Sequence, residues 1–449
     1  MEKIEGFPFY PIEITKDGKV YNAEQRTALL DALKASDDPI TDLMVVSHGW
    51  NNDTAEARAL YDELFKNAAK LLTGPRTPAS RKIAIAGIFW PSKKFAEEDL
   101  IPAKGGTGGT ASIIPKSVPN EGLVQKLDKL KDKDDESESA RQHAQALDKA
   151  KTLIDKLQDD PATRNEFAEL VKSVLPTPVD TVDDASPTFF KRSGDQLLTA
   201  LVAPVRQKPV STPGMGGTAA LQANGPAGGA AGLGEVLSGM KAAAWRLLNY
   251  ATYYQMKERA GVVGTGVNGL LKEVRTARND LRIHLIGHSF GGRVMAAAAK
   301  GPAAVKPSSL TLLQAAFSHN GFASGFGEHK QNGFFCDVVS KKGINGPIIV
   351  THTGNDRAVG LAYPIASRIA GDNQAAIGDA NDPYGGIGRN GAINMAKDQV
   401  IQANILDEKG VYTFTSGVIH NLEAGTHIKD HGDVENPEVA NVVLAAAGF

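Results

Sequence analysis

The chain has 449 residues, of which 42% are hydrophobic and 22% charged, which is typical of a folded globular protein and argues against a wholly disordered one. Its 49 basic and 51 acidic residues leave a net charge of −2, so nucleic-acid binding is not expected as the main role. The single cysteine, Cys336, excludes an internal disulfide and a thiolate zinc cluster.

The start of the sequence shows no apolar core of a secretion signal, and no apolar run is long enough for an integral membrane span. One cysteine is also typical of a reducing compartment. We therefore expect a cytoplasmic protein, with signal-independent secretion left open.

Residues 1–93 have the pattern of a compact α/β unit. Asp17-Gly18 is a turn dipeptide between two short apolar runs and predicts a hairpin, and Asn22 is a candidate helix cap. The predicted strands cover residues 9–14, 19–21, 43–46 and 82–90, and the predicted helices follow Asn22 and cover residues 54–72.

Composition changes over residues 94–240. Residues 101–119 and 204–234 are rich in Gly, Pro and small residues, whereas residues 123–175 are charged and mostly helical in spacing. We interpret 94–240 as an insertion into a larger domain. It is a candidate lid, or a surface for a partner protein or a membrane.

Regular α/β pattern returns over residues 241–449. Predicted helices cover residues 244–256, 267–277, 291–299 and 437–447, and predicted strands cover residues 281–287, 310–317, 347–351 and 411–419. Apolar strands that alternate with helices predict a doubly wound, mostly parallel sheet covered on both faces.

Residues 287–291 read Gly-His-Ser-Phe-Gly and fit the G-x-S-x-G pattern. This pattern has its chemical meaning when a buried strand precedes it and a helix follows, because the sharp turn then exposes the serine. The predicted strand over residues 281–287 and the predicted helix over residues 291–299 meet both conditions. Ser289 is therefore the candidate nucleophile, with Gly287 and Gly291 allowing close approach of the backbone.

A serine nucleophile needs a histidine base and an acid that orients it. In the family that the G-x-S-x-G pattern resembles, they follow in the chain order serine, acid, histidine. Asp356 follows a predicted strand, and His431 precedes the closing helix, so both can meet Ser289 at the carboxyl edge of the sheet. Rival histidines are His420 and His427. The rival acids are Asp337, Asp372 and Asp382.

The oxyanion of an acyl intermediate requires N–H donors already aimed at it. Phe290, directly after the serine, supplies one candidate amide. The loop that begins at His48 and Gly49 supplies the other, with Trp50 preferred and Asn51 second. His48 is expected to bond the loop backbone, and Trp50 and Trp90 are candidates either for the acyl pocket or for the core.

Several other motifs lack the context that their chemistry requires. Residues 264–269 and 386–391 both fit G-x-G-x-x-G, but no strand precedes either, so neither predicts a dinucleotide site. His427 and His431 lie four apart without the glutamate of a zinc helix, and residues 379–382 lack calcium-loop spacing. We expect no metal and no cofactor.

These motifs together resemble the α/β-hydrolase superfamily, and in particular its bacterial groups of unknown function. The resemblance is carried by HGWNN from residue 48, WPS from residue 90, GHSFG from residue 287 and HGDV from residue 431. It covers about residues 1–93 and 241–449. It implies an α/β-hydrolase fold and acyl transfer to water through a serine ester.

Three functions agree with this reading. The leading expectation is a serine esterase that cleaves a carboxylic ester, with a lipid ester among the candidates. The second is a binding protein that keeps the fold without turnover. The third, suggested by the same resemblance, is a lipase effector delivered by type VI secretion, since such effectors also lack a signal peptide.

Overall fold

The computed structural model describes residues 2–35, 39–50, 52–72, 80–92, 119–132, 135–177, 185–202, 239–356, 358, 369 and 384–449. Within these ranges nine strands form one sheet in the order β1-β2-β4-β3-β5-β6-β7-β9-β8. The strands are β1 Glu2–Ile4, β2 Phe7–Glu13, β3 Asp42–Ser47, β4 Ile83–Phe89, β5 Arg282–His288, β6 Ser309–Leu313, β7 Ile348–His352, β8 Val400–Asn404 and β9 Ile419–Glu423.

Every neighbouring pair is parallel except β1 and β2. The prediction of a mostly parallel α/β sheet is therefore confirmed. The helices are α1 Ala23–Lys34, α2 Thr54–Leu71, α3 Asn120–Leu130, α4 Glu138–Leu153, α5 Pro161–Ser173, α6 Ser186–Lys191, α7 Gly194–Leu201, α8 Met240–Ala277, α9 Phe290–Lys300, α10 Cys336–Ser340, α11 Ile387–Asn390 and α12 Pro437–Ala446.

Both faces of the sheet are buried. Alternate residues of a strand point to opposite faces, and β3 shows this directly: Leu43 and Val45 belong to one apolar cluster, Met44 and Val46 to the other. The first cluster packs the sheet against α1, α8 and α9, and the second packs it against α2 and α12. Helices on both faces explain why the strand sequences are continuously apolar.

The longest helix, α8, has 38 residues and joins two layers of the molecule. Its first half packs against α3, α5, α6 and α7, and α4 packs on α3 and α5. Helices α3–α7 are named here the outer helices. As an example of the contact, the rings of Phe189 and Tyr250 lie 4.9 Å apart. Its second half packs against α9. No helix among the described ranges is both long and apolar enough to cross a membrane.

The prediction of two helices over residues 244–277 is wrong, because α8 runs through without a break. The glycines that suggested an interruption are contact points instead. A Cβ on Gly264 would lie 2.5 Å from Cβ of Ala297 in α9, and one on Gly266 would lie 1.9 Å from the Gly18 carbonyl oxygen. The first G-x-G-x-x-G sequence is thus helix-packing surface.

The predicted strand over residues 411–419 is also wrong. Residues 411–416 make no strand, and a turn with Gly417 at φ +73° precedes β9, which begins at Ile419. The apolar and aromatic residues here have another function than strand pairing. Tyr412 and Phe414 stack on each other, 4.9 Å apart, and pack on the core. Strands β1 and β8 were not predicted.

Smaller differences concern element ends. The Asp17-Gly18 turn forms, but its second arm makes a single bridge between Ile14 and Val20. Strand β6 stops at Leu313, short of the predicted residue 317. Asn22 caps α1 as expected, its side chain accepting from the Glu24 amide. The Gly-rich segments predicted at 101–119 and 204–234 lie almost entirely outside the described residues.

The two kinds of glycine in α8 should respond oppositely to alanine. Gly264→Ala should lower the free energy of unfolding by about 1–3 kcal/mol, because the added methyl overlaps α9. Gly269, with nothing within 4 Å of its Cβ position, is the matched control. Gly269→Ala should raise stability by about 0.5–1 kcal/mol through helix propensity. Urea unfolding measures both, and equal effects would contradict the packing role.

Candidate active site

The candidate nucleophile lies at the junction of β5 and α9. Ser289 has φ +56° and ψ −125°, a conformation that costs a non-glycine residue energy and persists only where surroundings enforce it. Two backbone bonds enforce it here. The Ser289 amide donates to Leu313 at 3.0 Å, and its carbonyl accepts from the Ala316 amide at 2.9 Å. The loop after β6 therefore fixes the turn.

The two glycines of the motif are required by contact. A Cβ on Gly287 would lie 2.3 Å from the Gly291 carbonyl oxygen, and one on Gly291 would lie 2.2 Å from the Ser47 carbonyl oxygen. Any larger residue would push α9 away from β5 or from the end of β3. The expected close approach of the backbone at both glycines is thus present.

The structure brings Ser289, His431 and Asp356 together. The Ser289 hydroxyl lies 2.8 Å from Nε2 of His431, and Nδ1 of His431 lies 2.8 Å from Oδ2 of Asp356. Because a carboxylate can only accept, Nδ1 carries the proton and Nε2 accepts from the serine. All three residues are buried, with exposed fractions of 5%, 7% and 0% in that order. This arrangement can remove the serine proton during attack on a carbonyl.

The rival residues that the structure describes have other partners. His420 accepts from the Thr415 amide at 2.9 Å, His427 lies between Asp407 and Glu438, and Asp337 pairs with Lys341 at 2.9 Å. Asp372 and Asp382 lie outside the described residues, as do residues 379–382. Within the described ranges, no group of three or more His, Cys, Asp or Glu side chains could hold a metal ion.

A second Ser-His-Asp chain lies at the opposite, amino edge of the sheet. Ser309 bonds Nδ1 of His284 at 2.9 Å, and Nε2 of His284 lies 3.1 Å from Asp42. Ser309 lies in regular β6 rather than in a strained turn, and it is 1% exposed. Asp42 is also bound by Arg81 and Arg282, which with His284 hold its pKa far below the ordinary value despite burial. This chain ties strands together.

Three residues that position the site were missed in the sequence. Nε2 of His288 donates to the His431 carbonyl at 2.8 Å, and the two rings lie 4.9 Å apart. The Asn355 side chain donates to carbonyls in the histidine loop, at Gly425 and Ile428. Arg389 donates to the carbonyls of Gly354 and Asp356. No sequence motif predicts these bonds, because the acceptor of each is a backbone carbonyl oxygen, which every residue has.

The loop after β3 reaches Ser289. A Cβ on Gly49 would lie 2.7 Å from Cβ of Ser289, so only glycine permits this approach. Trp50 follows, and its ring packs against Phe290 at 5.8 Å. The Phe290 amide is in the first turn of α9 and has no intrahelical acceptor. Phe290 and Trp50, the two residues predicted to supply the oxyanion donors, thus directly follow Ser289 and Gly49 in the chain, and the direction of their amides stays a prediction. Asn51 lies outside the described residues.

His48 bonds the loop backbone, as expected. Its Nε2 accepts from the Trp90 amide at 3.3 Å, so Nδ1 carries the proton and donates to the Gly49 carbonyl at 2.9 Å. Burial lowers the pKa of His48 to about 4, which keeps the ring neutral. The Trp90 indole donates back to the His48 carbonyl at 3.1 Å and stacks on its ring. Trp90 is thus part of the loop's support.

A chain of aromatic rings connects the turn between β5 and α9 with the outer helices. Phe290 contacts Tyr253 of α8 at 5.5 Å, Tyr253 contacts Tyr250 at 6.2 Å, and Tyr250 contacts Phe189 of α6. The outer helices therefore reach the site through α8.

Comparison of the chain with protein-family models, curated proteins and solved structures gave no significant match.

Replacement of His288 should slow the reaction of Ser289 with a fluorophosphonate. His288→Leu removes the bond that holds the His431 backbone, and a small displacement there should cost about tenfold or more in rate. His420→Leu is the matched control, because that ring also bonds a backbone group but lies away from Ser289. Labelling rates at equal folded fraction measure the effect, and equal rates for both variants would contradict it.

His48 should make stability depend on pH. Its pKa is 6.5 when unfolded and about 4 when folded, so below pH 6.5 protons bind the unfolded chain preferentially. This contribution to the free energy of unfolding is complete above pH 6.5 and is lost as the pH falls towards 4. His48→Asn should reduce the slope of unfolding free energy against pH over that window, while buried His352, whose pKa is also lowered to about 4 by burial, keeps its own share. Exposed His329→Asn should leave the slope as steep as in the wild type.

Proposed function

We propose that the chain is a serine hydrolase that cleaves a carboxylic ester through an acyl-enzyme on Ser289. The observation that carries this proposal is the continuous hydrogen-bonded chain from Ser289 through His431 to Asp356. The strained backbone at Ser289 supports it further, because strain of this kind collects at functional sites.

The groups share the work of the proposed reaction, with His431 transferring protons in both halves. Oγ of Ser289 attacks the ester carbonyl carbon while Nε2 of His431 takes its proton, and Asp356 stabilises the imidazolium. The amides of Phe290 and Trp50 donate to the developing oxyanion. His431 then protonates the departing alcohol. Water, deprotonated by the same histidine, releases the acid and restores Ser289.

We also propose that the fold is that of an α/β-hydrolase. Support comes from the parallel order β4-β3-β5-β6-β7, with the serine after β5, the acid after β7 and the histidine after β9. All three follow the carboxyl ends of strands that lie near one another in the sheet. The loop after β3 supplies the second oxyanion amide at the same edge.

The outer helices are proposed to cover an apolar part of the substrate site. The ring chain from Phe290 through Tyr253 and Tyr250 to Phe189 supports this role, because it places apolar surface between the nucleophile and α6. A cover of this kind excludes water from the acyl-enzyme and suits an ester with an apolar portion, including a lipid. Most of the connecting segments lie outside the described residues.

Fluorophosphonate labelling tests the proposed nucleophile. The wild-type protein should form an adduct that mass mapping places on Ser289, and Ser289→Ala should abolish it. Ser309→Ala is the matched control, since Ser309 also bonds a histidine but is buried in a regular strand, and it should keep the label. A folded wild-type protein that takes no label, or takes it elsewhere, would contradict the proposal.

A further inference from the structure

An open cavity of about 380 Å³ lies between α8, the end of α9 and the ring of Phe334. Its charged wall residues are Glu258, Arg293 and Lys300, and its apolar wall includes Val262 and Ala297. Charged and apolar side chains that meet in one concave site are typical of a site for a ligand with both kinds of surface.

Arg293 is a buried cation at the wall of this cavity. The residue is 3% exposed, and its Nε donates to the Lys257 carbonyl at 2.9 Å, which fixes the direction of the side chain. A Cβ on Gly261, another wall residue, would lie 3.9 Å from Nη2 of Arg293. The amino end of the guanidinium therefore lies at the α8 wall of the cavity.

The positive charge of Arg293 is not balanced by a neighbouring carboxylate. Among the residues that the structure describes, Arg293 forms no ion pair, and the acidic wall residue Glu258 lies 3.3 Å from Nζ of Lys257 instead. Buried charges in proteins are usually paired with an opposite charge. Solvent in the cavity can screen the guanidinium but cannot neutralise it, whereas a bound anion would do so.

A second cation is held at the same place. Nζ of Lys300 lies 3.6 Å from the centre of the Phe334 ring, and Cζ of Arg293 lies 5.2 Å from that centre. The two residues are seven apart on α9, so they share one face of the helix. Like charges gathered at one ring repel each other, and an anion bound between them is stabilised by both.

Apolar surface continues from this cationic end. Val262 of the wall is 46% exposed, which is unusual for a large apolar side chain at a concave surface. A second cavity, of about 620 Å³, shares Thr265 and Pro302 with the first. Its walls include residues 303–305, which are apolar, and the long side chains of Lys272 and Arg275. The two cavities are adjoining parts of one groove, named here the α8–α9 groove.

We infer that the α8–α9 groove binds an amphiphile with a single alkyl chain and an anionic head, either a carboxylate or a phosphate. The head lies between Arg293 and Lys300, and the chain lies against Val262 and residues 303–305. The charge of the head is required because a neutral ligand would leave the two cations uncompensated.

This site is separate from the candidate active site. Lys300 is the last residue of α9, and Ser289 directly precedes the first, so the two are about 16 Å apart along the helix axis. The inference therefore does not depend on the proposed hydrolysis.

Isothermal titration calorimetry at constant ionic strength tests the inference with four probes. Octanoate and octyl phosphate have the chain and a charged head, octan-1-ol has the chain alone, and acetate has the charge alone. At least one of the two anionic amphiphiles should bind the wild-type protein at least tenfold more tightly than octan-1-ol and acetate. The tighter of the two identifies the head group.

Arg293→Met and Lys300→Met each remove one cation and keep a long side chain, so each should weaken the binding of that probe about five- to tenfold. Lys300 is only half-buried, and its variant provides a second test if Arg293→Met does not fold. Lys341→Met is the matched control, because Lys341 is exposed, pairs with Asp337 and does not line the groove. It should keep the wild-type affinity.

Two outcomes would overturn the inference. One is a folded wild-type protein that binds neither anionic amphiphile more tightly than octan-1-ol and acetate. The other is wild-type affinity in both Arg293→Met and Lys300→Met, which would place the bound probe elsewhere, for example beside Ser289. Fluorophosphonate labelling of Ser289 is measured separately, so either outcome leaves the hydrolase proposal standing.

Discussion

The close packing of backbone around Ser289 is the constraint on which the site depends. Helix α9 can begin directly at the end of β5 because Gly287 and Gly291 present no side chain to each other or to Ser47. The same condition holds at Gly49, which brings the loop after β3 against the serine. A methyl group at any of these positions would move Ser289 away from the amides that are proposed to stabilise its reaction.

Regular structure positions the serine, but irregular loops position its partners. Asp356 and His431 lie outside helices and strands, and both loops are held by side chains that donate to backbone carbonyls. Asn355 connects the acid loop with the histidine loop, and Arg389 donates to two carbonyls of the acid loop. His288, directly before Ser289, holds the His431 carbonyl. The alignment of the three candidate catalytic groups is therefore maintained by polar contacts between loops.

The sequence could predict features that depend on local pattern. Apolar runs predicted most central strands, and the G-x-S-x-G motif pointed to Ser289. Both features can be predicted because burial and tight turns restrict which residue types are found there. Chain order, together with a position after a predicted strand or before the closing helix, favoured Asp356 and His431 as candidates over their rivals. The structure joins both to Ser289 in one hydrogen-bonded chain through His431. Their catalytic roles remain predictions.

The parts that could not be predicted depend on partners distant in sequence. Glycines in α8 have the appearance of helix breaks, and only the position of α9 and Gly18 shows why they are there. Residues 411–416 are of types common in strands, but they do not pair in the sheet. They make ring contacts instead, such as that of Phe414 with His420. Bonds such as His288 to the His431 carbonyl end on atoms that every residue possesses, so sequence carries no sign of them.

The continuity of α8 has a consequence for motion. One uninterrupted helix packs against the outer helices with its first half and against α9 with its second, in close contact at Gly264. Hydrogen exchange in such an arrangement is governed by shared openings rather than by separate ones. We therefore expect the backbone amides of α8 and α9 to exchange together, and a movement of the outer helices that bends α8 to displace the turn at Ser289.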